Sequence, residues 1–367
     1  MNIPKIRFKG FEEAWKEYKL SDIAIITMGQ SPNSENYTND SNDTLLIQGN
    51  ADLNNGKVIP RLFTKQITKT CDKNDIIMTV RAPVGDIAIS DYNACIGRGV
   101  CSIKSSKFVY HYLDYLKIKD YWKKISKGST IDSITKDDIK SLLIKIPNKQ
   151  EKEKIIKTID LINKKIELQS KKIEDLKLFK KGLILSLKKN SFDWHTVCIK
   201  DLFKITRGVV IPKNELSEFK NGEYKYPVYS SQTSNQGTLG YSDTFDFNGK
   251  YLTWTTDGAN AGKVFYRNGK FRCTNVCGIL YEDNIKFTNE LFAELLNYET
   301  PKHVSYVGNP KLMNNVMADI KIKIPNGEVQ ENTSLIINTI NNKVNLEKNK
   351  LLKFKELKKG LMQNMFV

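Results

Sequence analysis

Between Lys149 and Lys189 apolar residues fall at Ile155, Ile159, Ile162, Ile166, Ile173, Leu176, Leu183 and Leu187. Gln169 and Lys180 occupy the two places that complete a steady alternation of four and three. That alternation averages about 3.5 residues, the period of a coiled-coil seam, and no Pro or Gly interrupts it before Gly182. The pattern returns 178 positions later as Thr333, Ile337, Ile340, Val344, Glu347, Leu351, Phe354, Lys358, Leu361 and Met365, and the two inner polar interruptions keep their places. Unrelated amphipathic helices would not share both flaws, so the chain is read as an internal duplication with one long helix per copy.

The segments ahead of the helices repeat as well. Trp15, Leu20-Ser21-Asp22-Ile23 and Ile26-Thr27-Met28-Gly29 are answered by Trp194, Ile199-Lys200-Asp201-Leu202 and Ile205-Thr206-Arg207-Gly208. After that Gly each copy reads as short strands broken by Gly, Asn, Asp and Pro, such as Asp75–Val80 in the first and Tyr251–Trp254 in the second. Each copy closes on an apolar strand running into Pro, at Leu143–Pro147 and Ile322–Pro325, where Pro punctuates entry to the helix. The expected organisation is a first mixed α/β domain over 1–147, a helix over 148–190, a second domain over 191–325 and a helix over 326–367. The fold class is α+β: two similar mixed α/β domains separated by a pair of long antiparallel coiled-coil helices, with a pseudo-two-fold repeat.

Charge and cysteines narrow the function. The 367 residues carry a formal charge of +17, which points to a polyanionic partner, and no apolar run approaches the roughly 20 residues of a membrane span. The start, Met1-Asn2-Ile3-Pro4-Lys5, has no apolar signal core, so the expected location is cytoplasmic. Six cysteines are then expected as reduced thiols, and Cys273 and Cys277, with no His at ligand spacing, as core residues rather than zinc ligands.

Pro4-Lys5-Ile6-Arg7-Phe8 with Trp15, Asp75–Met78 followed by Arg81-Ala82-Pro83-Val84-Gly85-Asp86, Ile96-Gly97-Arg98-Gly99, Gly128-Ser129-Thr130, Ile146-Pro147 and the twice-used Lys-Lys-Gly-Leu make an ordered set covering nearly the whole chain. In this the chain resembles the specificity subunit of type I restriction-modification systems. The entries to the long helices depart from the family's Pro-rich, Glu-Gln form, reading Asn148-Lys149-Gln150-Glu151 and Asn326–Glu331. The resemblance implies two target-recognition domains reading double-stranded DNA with a bipartite, asymmetric target and a nonspecific spacer. It implies two modification (methyltransferase) subunits and restriction (motor-nuclease) subunits as partners. No cofactor is expected in this chain; S-adenosylmethionine, ATP and magnesium belong to those partners.

The residues themselves offer no catalytic constellation. Asn309-Pro310-Lys311-Leu312 lacks the second Pro and the aromatic of an adenine-methyltransferase motif, and Gly258–Val264 is a residue short of a phosphate loop and ends in Val where Ser or Thr is needed. His111, His195 and His303 lie near no nucleophile motif, so no catalytic residue and no metal ligand is assigned. An RNA- or DNA-binding adaptor and an enzyme with an unrecognised site remain as alternatives, separable by competition between polyanions and by assay of the isolated chain. The candidates for base and phosphate contact are loop-borne polar residues: Gln30, Ser31, Gln48, Asn50, Arg81 and Arg98 in the first copy, and Arg207, Gln232, Asn235, Thr255, Lys263, Arg272 and Asn275 in the second.

The seam flaws also suggest a register. Antiparallel helices with Lys180 opposite Glu347 and Gln169 opposite Lys358 leave every other central layer apolar, whereas a heptad slide sets both lysines beside Leu or Ile. The polar layers are thus expected to fix the register.

Overall fold

Asn148 opens the first long helix: its side-chain oxygen accepts the Glu151 N–H at 3.0 Å, and its carbonyl accepts that of Lys152. This cap satisfies donors that the first helical turn leaves over. In the computed structural model, which describes residues 3–125, 133–189, 194–325 and 327–367, the helix runs Lys149–Lys189 and its repeat Gly327–Met365. The Gly128-Ser129-Thr130 motif and Asn326 lie outside the described residues. All twenty seam positions are buried or half-buried, among them Ile155, Ile159, Ile173, Ile337 and Val344. Each such Ile stabilises by roughly 1.5–3 kcal/mol relative to exposure, which is why the apolar period decides the helix face. Among the described residues no helix is long and apolar enough to cross a membrane.

The chain divides into two units, Met1–Ser170 with Asn349–Val367, and Lys171–Lys348. In the first, strand Lys16–Lys19 pairs antiparallel with Leu143–Ile146, the two segments that begin and close the first copy. A six-stranded sheet runs in the order Ile25–Met28, Val100–Lys104, Ile76–Thr79, Ile87–Ile89, Lys57–Val58, Leu53–Asn54, and a second sheet of five short strands adjoins it. Helix Lys107–Ile118 buries Phe108, Tyr112 and Leu113 in a core with Trp15, Ile155, Ile159, Met362 and Phe366.

The second unit repeats the plan. His195–Cys198 pairs with Lys321–Ile324, and a six-stranded sheet runs Lys204–Arg207, Cys277–Tyr281, Phe247–Thr255, Val264–Cys273, Tyr226–Tyr229, Thr238–Ser242. Its first four strands occupy the places of the first four in the other sheet. Helix Glu290–Glu299 starts at Asn289, whose side chain accepts the Phe292 N–H at 3.1 Å, and it buries Leu291 and Leu295 against Ile184 and Ile337.

The expected register is not the one found. In the second unit Glu347 pairs with Lys172 at 3.0 Å, and Lys180 donates to Asn341 at 2.9 Å, so the antiparallel pairing lies about one heptad from Lys180 opposite Glu347. In the first unit Lys358 meets Asp114 at 2.7 Å rather than Gln169, and Lys165 lies over the Phe354 ring. The expectation counted only seam residues as partners. A shorter helix in each unit supplies the carboxylate instead: Glu294 to Lys180 at 2.5 Å and Asp114 to Lys358, so neither lysine is stranded against an apolar side chain.

Candidate nucleic-acid interface

In the first unit three connections meet at one end of the sheets. Gly29 follows strand Ile25–Met28, Gln48-Gly49 follows Thr44–Ile47, and Gly97-Arg98-Gly99 joins Ala94–Ile96 to Val100–Lys104. Backbone bonds lock them: Gly29 N–H to the Val100 carbonyl (3.0 Å), Gln30 N–H to Ile96 (2.9 Å), Gly97 N–H to Ile47 (2.8 Å) and Val80 N–H to Gly99 (2.9 Å). Contact is so close that a Cβ at Gly29 would stand 2.1 Å from the Gly97 oxygen, and one at Gly99 2.2 Å from the Gln48 oxygen. The glycines are there for approach of backbone to backbone.

This packing brings Gln30, Ser31, Gln48, Asn50 and Arg98 together, with Arg81 next to the bonded Val80. Ser31 Oγ accepts the Arg98 N–H at 3.1 Å, Gln48 Nε2 donates to the Tyr37 hydroxyl at 2.6 Å, and Asn50 donates to Asp86. Gln30, Asn50, Arg81 and Arg98 are exposed, and among the described residues neither arginine side chain has an ion pair or hydrogen bond. Tyr37 and the buried Asp52, which accepts the Gln48 and Gly49 N–H groups, were missed from the sequence. Asp three residues past Gly49 was the available signal for such a turn.

The second unit builds the same junction. A Cβ at Gly208 would stand 2.0 Å from the Cys273 oxygen; Val209 N–H bonds the Cys273 carbonyl (3.1 Å), and Thr274 N–H bonds Tyr229 (2.9 Å). Thr274 Oγ1 and Ser230 Oγ are 3.0 Å apart, so the loop from Ser230 to Gly237 lies beside the exposed Asn275. Gln232 donates to the Thr238 carbonyl, and Asn235 is exposed with φ +47°. Arg207 is half-buried, its Nε donating to Asn314 at 2.9 Å.

Two candidates, Thr255 and Arg272, face inward and correct the expectation. Thr255 is buried, its hydroxyl donating to the Asn260 carbonyl and accepting the Lys263 N–H, which staples the turn from Gly258 to Gly262. Lys263 is exposed as expected; partial desolvation draws its pKa below the usual lysine range, with Glu294 opposing and Lys180 reinforcing that shift. Arg272 is clamped by Glu215 (2.8 Å) and Asp246 (3.2 Å); burial draws its pKa down, and the two acids more than reverse that. Its charge is already satisfied inside the fold. Sequence reading also missed Arg267, buried beneath the loop between Tyr229 and Phe265. Its spacing from Phe271 and Cys273 on one strand put it on the core face.

Cys71, Cys95, Cys101, Cys273 and Cys277 are buried, and all six thiols are free. Among the described residues no group of three or more His, Cys, Asp or Glu is placed to hold a metal ion.

The model of the type I restriction modification DNA specificity domain matches residues 12–178 and again 192–356. A Mycoplasma pneumoniae protein named as the N-terminus of a type I specificity subunit is 44% identical over 145 residues, which is 39% of this chain and 76% of that one. Another from the same organism, also named as a type I specificity subunit, is 34% identical over 221 residues, covering 59% of this chain and 81% of that one. The crystal structure of a type I restriction-modification S subunit from M. genitalium superposes with a TM-score of 0.67 over 100% of this chain and 99% of its own, at 18% identity, a likeness of fold.

Proposed function

The chain belongs to the type I restriction modification DNA specificity family, and on that footing we propose that it reads a bipartite, asymmetric duplex target, one half-site per unit. It is a DNA sequence-recognition subunit of a restriction-modification complex and is not itself catalytic; the family's members assemble with methyltransferase and restriction subunits. The observation that carries the proposal is the repeated glycine-packed junction, which gathers amides, hydroxyls and, in the first unit, two arginine side chains unpaired among the described residues, at one end of the sheets. Such groups pair with base edges and phosphates.

The reading extends to the partners. Two modification subunits would dock on the outer faces of the long helices, one per repeat. What supports this is a groove lined in the first unit by Glu153, Ile156, Lys157 and Asp160, and in the second by Glu331, Ser334, Leu335 and Asn338, the same four positions of the repeat. Leu161 and Leu168 in the first unit, and Leu335 and Leu346 in the second, are exposed on these helices.

Mapping methylated adenines in DNA from cells that express the chain with its modification subunits tests the proposal. A two-part motif with a nonspecific gap is expected; a single contiguous motif, or none, refutes it. Arg98→Ala should weaken only the half-site read by the first unit, by about 1–3 kcal/mol if the guanidinium is bidentate to a base, whereas a uniform loss across sequences would mark a phosphate contact.

A further inference from the structure

Arg267 is 5% exposed, and among the described residues no carboxylate pairs with it. Its guanidinium carbon lies 3.5 Å from the centroid of the Tyr229 ring and 4.5 Å from that of Phe265, stacked between two aromatic faces. Nε donates to Thr253 Oγ1 at 3.0 Å, and a terminal nitrogen donates to the Gln236 carbonyl at 2.7 Å. A buried cation without a counter-charge is costly, and burial lowers its pKa accordingly. Ring faces and aligned dipoles offset part of that cost.

The loop above needs an internal support. Asn235 and Gln236 both have positive φ, +47° and +53°, a conformation that side-chain-bearing residues disfavour, and Gly237 follows at +86°. The Ser230 N–H closes the loop on the Gly237 carbonyl at 2.9 Å. The Gln236 carbonyl, in the middle of this run, is the atom that Arg267 holds.

We propose that Arg267 is a positioning residue for sequence readout by the second unit: it touches no nucleic acid, and it fixes the left-handed run that presents Gln232 and Asn235. Its planar fork does what lysine cannot, lying flat between two rings while donating in two directions. The Thr253 hydroxyl, on strand Phe247–Thr255, accepts its hydrogen bond from this guanidinium, so it belongs to the same support. The inference rests on the proposed function, in which the loop reads one half-site.

The test uses the complete complex with its modification subunits and a randomised duplex DNA library, sequencing the bound fraction. For Arg267→Lys the preference at the second half-site should fall about tenfold or more, while preference at the first half-site and affinity for nonspecific duplex stay as in the wild type. Thr253→Val, nearly isosteric, should blur the same half-site and less strongly, and it decides the matter if Arg267→Lys fails to fold. Combining the two should add little to Arg267→Lys alone, as expected for residues acting through one contact. An unchanged second half-site in folded Arg267→Lys, or in Thr253→Val where the lysine variant does not fold, overturns the inference, as does an equal loss at both half-sites. A wild-type complex with no two-part preference would instead sink the proposed function.

Discussion

In the first unit the side chains of Arg81 and Arg98 stand exposed on the glycine-packed connections with no hydrogen-bond or ion-pair partner among the described residues, whereas in the second Arg267 and Arg272 turn inward. Arg267 lies under the loop between two rings, and Arg272 is held by Glu215 and Asp246. Where Arg81 follows the first unit's strand and bridges to Ser133, the second has Asp257 bridging to Lys311. Beneath this reversal the frame is constant: four strands in the same order, and Gly29 and Gly208 packed so closely on backbone that an added Cβ would stand 2.1 and 2.0 Å from a carbonyl oxygen. The duplication preserves the backbone junction and leaves the charge on it free to diverge. That is what the proposed pair of different readers on one scaffold requires.

The sharpest way to break the comparison is at those glycines. Gly29→Ala and Gly208→Ala each force a methyl group onto a backbone carbonyl of the packed junction, that of Gly97 and that of Cys273, so the backbone must move, at an expected cost of about 2–3 kcal/mol each. Each should abolish preference at its own half-site and spare the other, measured by denaturant unfolding and by library selection. Were either substitution tolerated in both respects, the junction would not be the shared frame.

How far this was legible in the sequence depends on the range over which each signal acts. The seam and the repeat were readable because local spacing sets them: a 3.5-residue period fixes a helix face, and Gly29 and Gly208 stood out as landmarks of the repeat, though not as points of close backbone approach. The register was not, because Lys180 and Lys358 find their carboxylates on helices Glu290–Glu299 and Lys107–Ile118, far away in sequence. Arg98 and Arg272 look alike as loop-side arginines, yet only distant Glu215 and Asp246 make the second a clamp. A residue's type suggested what it can bind; the tertiary partners decided whether it is free to do so.

Those lysine anchors are the next test. Lys180 with Glu294 and Lys358 with Asp114 are equivalent pairs whose side chains keep between 18% and 24% exposure, so they are neither free surface bridges nor fully buried. Lys180→Met or Lys358→Met should cost about 1–2 kcal/mol by leaving a carboxylate half-buried, less than for a fully buried pair because solvent still screens both ends. Urea unfolding should give similar values for the two, and Lys180→Met combined with Glu294→Leu should recover most of the loss. A neutral result at one site and a loss at the other would show that the anchors are not equivalent.

The smallest effect expected separates the units by their response to acid. In the first, Asp160 faces the buried His111 (3.0 Å) and Lys107 (2.7 Å); partial burial pushes its pKa up, and the bonds from those two partners outweigh this and hold it below the usual carboxylate value. In the second unit Asn338 stands at the place of Asp160, and the half-buried carboxylate on the matching short helix is Glu290. Asn338 does not titrate, and Glu290 is raised by burial, against the pull of Asn341 and Lys180. The signs are opposite. A carboxylate lowered by folding adds stability that is full above its unfolded pKa, near 4, and is lost as pH falls through the folded value. One raised by folding binds its proton more tightly in the native state, so acidification through its folded pKa adds stability. Urea midpoints compared between about pH 6.5 and pH 3.5, spanning both carboxylates' ordinary values, should therefore fall less for Asp160→Asn than for the wild type and more for Glu290→Gln. Trp15 and Trp122 report the first unit, and Trp194 and Trp254 the second, so Trp→Phe backgrounds assign each change. An acid limb in Asp160→Asn as steep as that of the wild type would show that the carboxylate facing His111 carries none of the first unit's acid sensitivity.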